Sequence, residues 1–370
     1  MTEEMNSNSP EPQAPAPEKK AEQSTSRFNE QPPKSGGGCL KAFLILSGVG
    51  IIFAFIGTCL IVVLALIGAV SQNPSTSKHF MEEYVSGDKG SINKIVVIDI
   101  NGIILSGDGS PMYTVADSTS ICEQLDTAQK DPAIKAVILR LNTPGGEVTA
   151  SDVIHHKVLE LRAGGIPVIA SMEAVAASGG YYVAVGCDHI IANRLTMTGS
   201  VGVIAHTYNY HQLLNKIGIQ SEVYKSGDMK DMLNGGRPRN EEEKAVMQGL
   251  IDDTYNEFVE IVASGRKDLT VEQIKDSIIG DGRVFHGDQA LELKMIDQLG
   301  YFEDAEKKAA ELAGIGKNYK LIRYQQPFSF SQLFRQVQAP TKNIKIEFPG
   351  NTNQSAGLES GRMYFLPCRW

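Results

Sequence analysis

The sequence contains no C-x-x-C pair, and its five cysteines (Cys39, Cys59, Cys122, Cys187, Cys368) are scattered and odd in number. Both facts argue against a structural zinc site and against a disulfide framework. Basic residues are not in excess: 35 Lys and Arg face 43 Asp and Glu, a net charge of -8. Broad nucleic-acid binding needs a basic footprint and is disfavoured. A repeat of roughly 20–50 residues is missing, which disfavours a solenoid. The dinucleotide pattern GxGxxG and the Walker pattern GxxxxGK[ST] are both incomplete. What is present is a chain of 370 residues, 42% hydrophobic and 21% charged. That composition is not disordered as a whole, and the length suits one large domain or two modest ones with appended segments.

Four stretches divide the chain. Residues 1–38 are rich in Pro, Glu, Gln, Ser, Asn and Gly and carry almost no branched apolar residues. Such a segment buries too little surface to offset its ordering entropy, so a disordered tail is expected. Residues 42–70 hold no charge. The run exceeds the ~20 residues that cross a bilayer, so one transmembrane helix is expected, tilted or with its ends in the headgroups. Lys34 and Lys41 lie close on its N-terminal side, with Lys19, Lys20 and Arg27 further out, whereas the other flank is uncharged as far as Lys78. The positive-inside bias keeps the N-terminus in the cytoplasm and places the remainder outside, a single-pass arrangement. Residues 78–317 form the main globular stretch. Residues 318–370 read as an extension, a polar mobile linker ending in the apolar segment Arg362-Met-Tyr-Phe-Leu-Pro-Cys-Arg-Trp370.

Within the globular stretch, strand-like and helix-like runs alternate. Ile95–Ile100, Ala136–Asn142, Pro167–Glu173 and Asp188–Arg194 read as strands; Ile121–Asp131 and Ser151–Ala163 read as helices. The alternation predicts an α/β domain with mostly parallel, doubly covered strands. A long helix is expected over Asn240–Lys267, with an apolar stripe near helical spacing (Val246, Leu250, Ile251, Tyr255, Phe258, Val259, Val262), Asn240 as cap and Glu241 to Glu243 complementing the dipole.

Three glycine-rich turns follow strands: Thr143-Pro-Gly-Gly-Glu147, Ala176-Ala-Ser-Gly-Gly180 and Thr198-Gly-Ser-Val-Gly202. Glycine there lets backbone N–H groups point at an anion or oxyanion, although tight strand-to-helix packing explains any one turn equally well. Ser178 stands among small residues at a strand–helix transition. The pattern is A-x-S-x-G rather than the G-x-S-x-G of a nucleophile elbow, and a plain N-cap serine is the competing reading. The seven histidines offer no pattern that pairs one with Ser178. A lysine can serve as base when neutral, and the candidates lie in Tyr224-Lys-Ser-Gly-Asp-Met-Lys-Asp231.

The order of these motifs, continued by Gly282-Arg-Val-Phe-His-Gly-Asp-Gln-Ala290, resembles the signal peptide peptidase A family, also called protease IV. The resemblance runs from about Lys94 to Ala313, and the short single-domain, membrane-anchored form fits best. It implies a crotonase/Clp-protease-like spiral of ββα units preceded by one transmembrane helix. It also implies a serine endopeptidase with a Ser–Lys dyad: Ser178 as nucleophile, Lys230 (not Lys225) as base and Ser200 orienting the lysine. The oxyanion hole would use the backbone N–H groups of Gly145 and Gly179. Threonine at 143 replaces the family's usual serine, which matters little if the donor is backbone.

No metal or cofactor is implied. The implied partners are peptide substrates (remnant signal peptides), the membrane, and further copies in a homo-oligomeric ring in which a neighbouring protomer can complete the site. Two other readings are a non-catalytic ring scaffold for a membrane complex and a crotonase-like enzyme acting on acyl-CoA. The terminal apolar segment is expected either to enter a peptide-binding groove or to complete the fold as a last strand.

Overall fold

The computed structural model describes residues 52, 54–62, 80–107, 114–325 and 364–365. The chain divides into two compact units, residues 1–76 and 77–370. In the first, residues 54–62 are helical. Most of the expected membrane span lies outside the described residues. Among the described residues no helix is long and apolar enough to cross a membrane.

The second unit is a mixed α/β domain. Its main sheet uses β1 (Met81–Gly87), β2 (Lys94–Asn101), β5 (Ile134–Thr143), β7 (Val168–Ala177), β8 (His189–Ala192), β11 (Gln298–Leu299) and β12 (Lys320–Gln325). Their order is β1-β12-β2-β5-β7-β8-β11, and β9 (Met197–Gly199) and β10 (Val284–His286) branch from β7. Every pairing from β12 to β11 is parallel; only β1 with β12 and β10 with β9 are antiparallel. A smaller sheet orders β13 (Tyr364–Phe365), β6 (Gly146–Glu147), β3 (Ile103–Leu105) and β4 (Val115–Asp117).

Period-2 alternation distributes the strand residues between two cores. Val96, Ile98 and Ile100 with Val137, Leu139 and Leu141 face one core. It is covered by α1 (Ser118–Lys130), α2 (Val148–Ala163), α3 (Gly179–Ala184) and the second half of α5 (Glu241–Gly265). Ile95, Val97, Ala136 and Ile138 face the other, under Ala305, Ala309 and Ala310 of α8 (Phe302–Leu312). Each of these branched side chains, fully buried, contributes roughly 1.5–3 kcal/mol. The remaining helices are the short α4 (His211–Lys216), α6 (Val271–Lys275) and α7 (Gly287–Glu292).

The caps explain where helices begin. Asp117 accepts the N–H groups of Thr119 and Ser120 to open α1. Asn240 and Glu243 close a reciprocal capping box at the start of α5, as the sequence suggests. The expected apolar stripe of α5 is only half used. Phe258, Val259 and Val262 are buried, whereas Val246 and Leu250 are exposed. Strand β7 runs past the predicted Glu173 to Ala177, because its last residues pair in parallel with β9.

Candidate active site

Ser178 follows β7 directly and opens α3. Its backbone sits at φ 54° and ψ -115°, a region that a non-glycine residue adopts only under constraint. Two hydrogen bonds impose it: Ser178 N–H donates to Gly199 O at 2.7 Å, and Tyr182 N–H donates to Ser178 O at 2.8 Å. The side chain makes no capping bond, so the N-cap reading fails for the hydroxyl. Ser178 is 0% exposed, and among the described residues its Oγ has no hydrogen-bond partner. A buried, unpaired hydroxyl on a strained turn costs stability and calls for a functional account.

The oxyanion-hole candidates meet at this turn. Gly145 has φ +100°, which its lack of a Cβ permits. A Cβ on Gly179 would lie 2.5 Å from Ser151 Oγ, 3.1 Å from Gly146 N and 3.3 Å from Gly145 Cα. The Gly145–Gly146 turn therefore presses against the start of α3. Gly145 N–H, however, donates to Thr143 Oγ1 at 3.0 Å. Its neighbour Gly146 carries the nitrogen that faces Gly179, and a Cβ on Gly146 would meet Ile104 O at 1.9 Å. Thr143 is fully buried, and its methyl is 2.6 Å from where a Gly180 Cβ would lie. The threonine thus holds both the turn and the helix, a part that the Thr-for-Ser difference in sequence does not disclose.

Ser200 leaves β9 beside Ser178, since Ala177 and Gly199 are register partners. It too has positive φ, 55°, is 3% exposed, and donates its N–H to Arg283 O at 2.8 Å. A cavity of about 260 Å³ opens from it, lined by Val201, Val203, Ile251, Tyr255 and Gly280 among others. Cys187, also near in sequence, is core: it is buried, and burial pushes its thiol upward.

Lys230 stands on a different element. It belongs to a 3-10 turn, Asp228–Asp231, and is exposed. Within one chain it makes no hydrogen bond to Ser178, whose Oγ has no partner. The surrounding arm between Ile204 and Asn240 exposes Tyr208, Tyr210, Leu213, Ile217, Ile219 and Tyr224, and α4 inside it has no buried residue. The two candidate lysines differ. Lys225 Nζ is bound to Asp228 O at 2.7 Å and Asp231 Oδ1 at 2.8 Å. Lys230 has no ion pair among the described residues. The structure thus brings Ser178, Ser200, Gly145 and Gly179 together, and among the described residues no hydrogen bond joins Lys230 to them.

Comparison with known proteins agrees on the family. The model of peptidase family S49 matches residues 160–316. A Synechocystis protein carried under a provisional protease name is 42% identical over 222 residues, which cover 60% of this chain and 75% of that protein. Protease 4 of Salmonella typhi is 38% identical over 231 residues, 62% of this chain and 36% of its own length. The chloroplastic serine protease SPPA of Arabidopsis thaliana is 31% identical over 244 residues, 65% of this chain and again 36% of its own. The chain therefore belongs to peptidase family S49, the signal peptide peptidase A family of serine proteases.

Proposed function

We propose that the chain is a membrane-anchored serine endopeptidase that degrades remnant signal peptides on the extracytoplasmic side, using Ser178 as nucleophile and Lys230 as general base. The observation that carries this reading is the buried, unpaired Ser178 hydroxyl, held on a strained turn against two glycine-rich backbones. The neutral Lys230 amine takes the Ser178 proton as Oγ attacks the scissile carbonyl. It then gives that proton to the leaving amine, and water releases the acyl-enzyme by the reverse path. The tetrahedral oxyanion is held by the N–H of Gly179 and that of Gly146; Gly145, with its N–H on Thr143, shapes the turn. Ser200, side by side with Ser178, orients the amine. The crotonase-like ββα spiral implied by the family is consistent with the parallel sheet.

Because Lys230 stands on an exposed apolar arm, the base is supplied by a neighbouring copy in a homo-oligomeric ring, and the arm's apolar face is the contact. Substrate enters as an added strand. The chain itself offers the precedent: Phe365 and Tyr364 pair antiparallel with Gly146 and Glu147 on β6. Its own C-terminal strand therefore occupies the edge that a peptide would use, and a bound tail is an inhibitor or an early substrate.

The test is casein hydrolysis by the full chain in detergent, beside Ser178→Ala and Lys230→Ala, with assembly followed by light scattering. Loss of activity in both variants with assembly intact is expected. Retained activity in Lys230→Ala would remove it as base and bring Lys225 forward. An assembled but inactive wild type would favour the scaffold reading.

A further inference from the structure

The turn that faces Gly179 is made of two consecutive glycines, Gly145 and Gly146, with no Cβ to restrict either. Gly145 already uses that freedom, at φ +100°. An oxyanion hole needs the opposite property, donors held in place before the charge develops. Gly145 is held by two bonds. Its carbonyl accepts the Ile104 N–H at 2.9 Å, and its N–H donates to Thr143 Oγ1 at 3.0 Å. The first does not depend on a side chain. The second depends wholly on one.

Both branches of that side chain are engaged. Thr143 is the last residue of β5, fully buried, and pairs with Ala176 of β7 shortly before Ser178. Its hydroxyl faces the turn, accepting the Gly145 N–H and reaching Gly145 O as donor at 3.4 Å. Its methyl fills the space beside Gly180 in α3, 2.6 Å from where a Cβ on that residue would lie. A β-branched side chain has few χ1 choices, and one of them meets both contacts here. The methyl seat on α3 therefore aims the hydroxyl at Gly145. A serine would carry the hydroxyl without the brace.

The consequence is a choice between amides. Gly145 spends its N–H on Thr143, and the nitrogen close to Gly179 is that of Gly146, 3.1 Å from the Gly179 Cβ position. Without the hydroxyl, the Gly145 N–H would be a buried donor deprived of its acceptor, which is costly. A turn of two glycines yields to that cost by rotating, and the Gly146 nitrogen moves with it.

We infer that Thr143 is a positioning residue for the oxyanion hole: its methyl, braced on α3 at Gly180, pins its hydroxyl on the Gly145 N–H and so leaves the Gly146 N–H to the oxyanion. The role rests on the reading of Ser178 as nucleophile and deepens it, because that reading needs the two amides but does not say what aims them.

The experiment compares Thr143→Val, which keeps the shape and removes the hydroxyl, with Thr143→Ser, which keeps the hydroxyl and removes the methyl. Both are made in the full chain in detergent, with assembly followed by light scattering. kcat and KM are measured separately on a fluorogenic peptide taken from a wild-type cleavage site in casein. Thr143→Val is expected to lose about 10²-fold in kcat with KM within about twofold, the signature of a misplaced oxyanion donor. Thr143→Ser is expected to fall only about three- to tenfold in kcat, since its hydroxyl is present but has more rotamers open to it. A tie of the serine variant with either the wild type or the valine variant overturns the inference. So does a loss that appears in KM as much as in kcat, which is what a general loosening of the site would give. If Thr143→Val fails to assemble, Thr143→Ser decides: a lowered kcat with KM unmoved supports the role, and wild-type kinetics overturn it. Ser178→Ala in the same assay separates the two levels. Activity in that variant defeats the nucleophile, whereas an inactive Ser178→Ala beside a fully active Thr143→Val defeats only the role of Thr143.

Discussion

The platform around Ser178 and the arm around Lys230 are built on opposite principles. The platform is closed: Ser178, Thr143, Tyr181 and Gly179 are buried, Ser178 N–H is held by Gly199 O of β9, and Gly145 O accepts the N–H of Ile104 in β3. The arm is open: its helix buries nothing, its aromatic and branched residues face outward, and its order comes from ion pairs and turns rather than a core. A nucleophile and an oxyanion hole need fixed distances, which strands supply. The proposed delivery of Lys230 to a neighbouring copy needs reach and an adhesive surface, and an arm with exposed apolar residues fits that need. The contrast teaches that packing fixes one region of this chain, whereas surface ion pairs and turns order the other.

The sharpest way to break this contrast is complementation. Ser178→Ala and Lys230→Ala should each lose activity by about 10³-fold or more. Mixed before assembly, they should regain about a quarter of wild-type activity, since random pairing in a closed ring joins intact serine to intact lysine at that frequency. No recovery in assembled mixtures would place both residues of a site in one chain.

A smaller effect is expected on the platform side. Gly179→Ala puts a methyl into Ser151 Oγ and the Gly146 nitrogen. The expected result is a fall of about 10²–10³ in kcat with little change in KM, the signature of a disturbed oxyanion donor. Unchanged kcat would mean that the turn yields freely.

The smallest effect concerns the C-terminal strand. Deleting residues 362–370 vacates the edge of β6. A few-fold rise in initial rate, with assembly unchanged, is expected if the strand competes with substrate. Identical kinetics and assembly would leave it no role at the site.

The platform was largely legible in the sequence. Branched runs marked β2, β5 and β7, and the small residues after β7 located Ser178. The end of β7 was not legible. Three of its last four residues are alanines with weak strand preference, and pairing with β9 on one side and with Thr143 of β5 on the other holds them in the strand. Nor was the bond between Gly145 N–H and Thr143 Oγ1, since a side chain capturing a turn amide depends on a backbone path that no spacing encodes. The arm was the least legible region. Its lysines were separated by family resemblance alone; the physical distinction, Lys225 bound to Asp231 and Lys230 without an ion pair among the described residues, needed the fold. Val246 and Leu250 fitted the helical stripe of α5 but are exposed, because periodicity reports a face and not what covers it.

Ser178 also bears on how tolerant the protein is to damage elsewhere. A non-glycine residue at φ 54° raises the folded state by about 1–3 kcal/mol, and the unpaired buried hydroxyl adds to it. Against a typical folding margin of about 5–15 kcal/mol, that is a sizeable fraction. The protein therefore has less room for further destabilising substitutions than a Ser178→Gly version would have. Selection for stability alone would favour a residue without this strain, and the proposed nucleophilic role is a reason for serine to stand there.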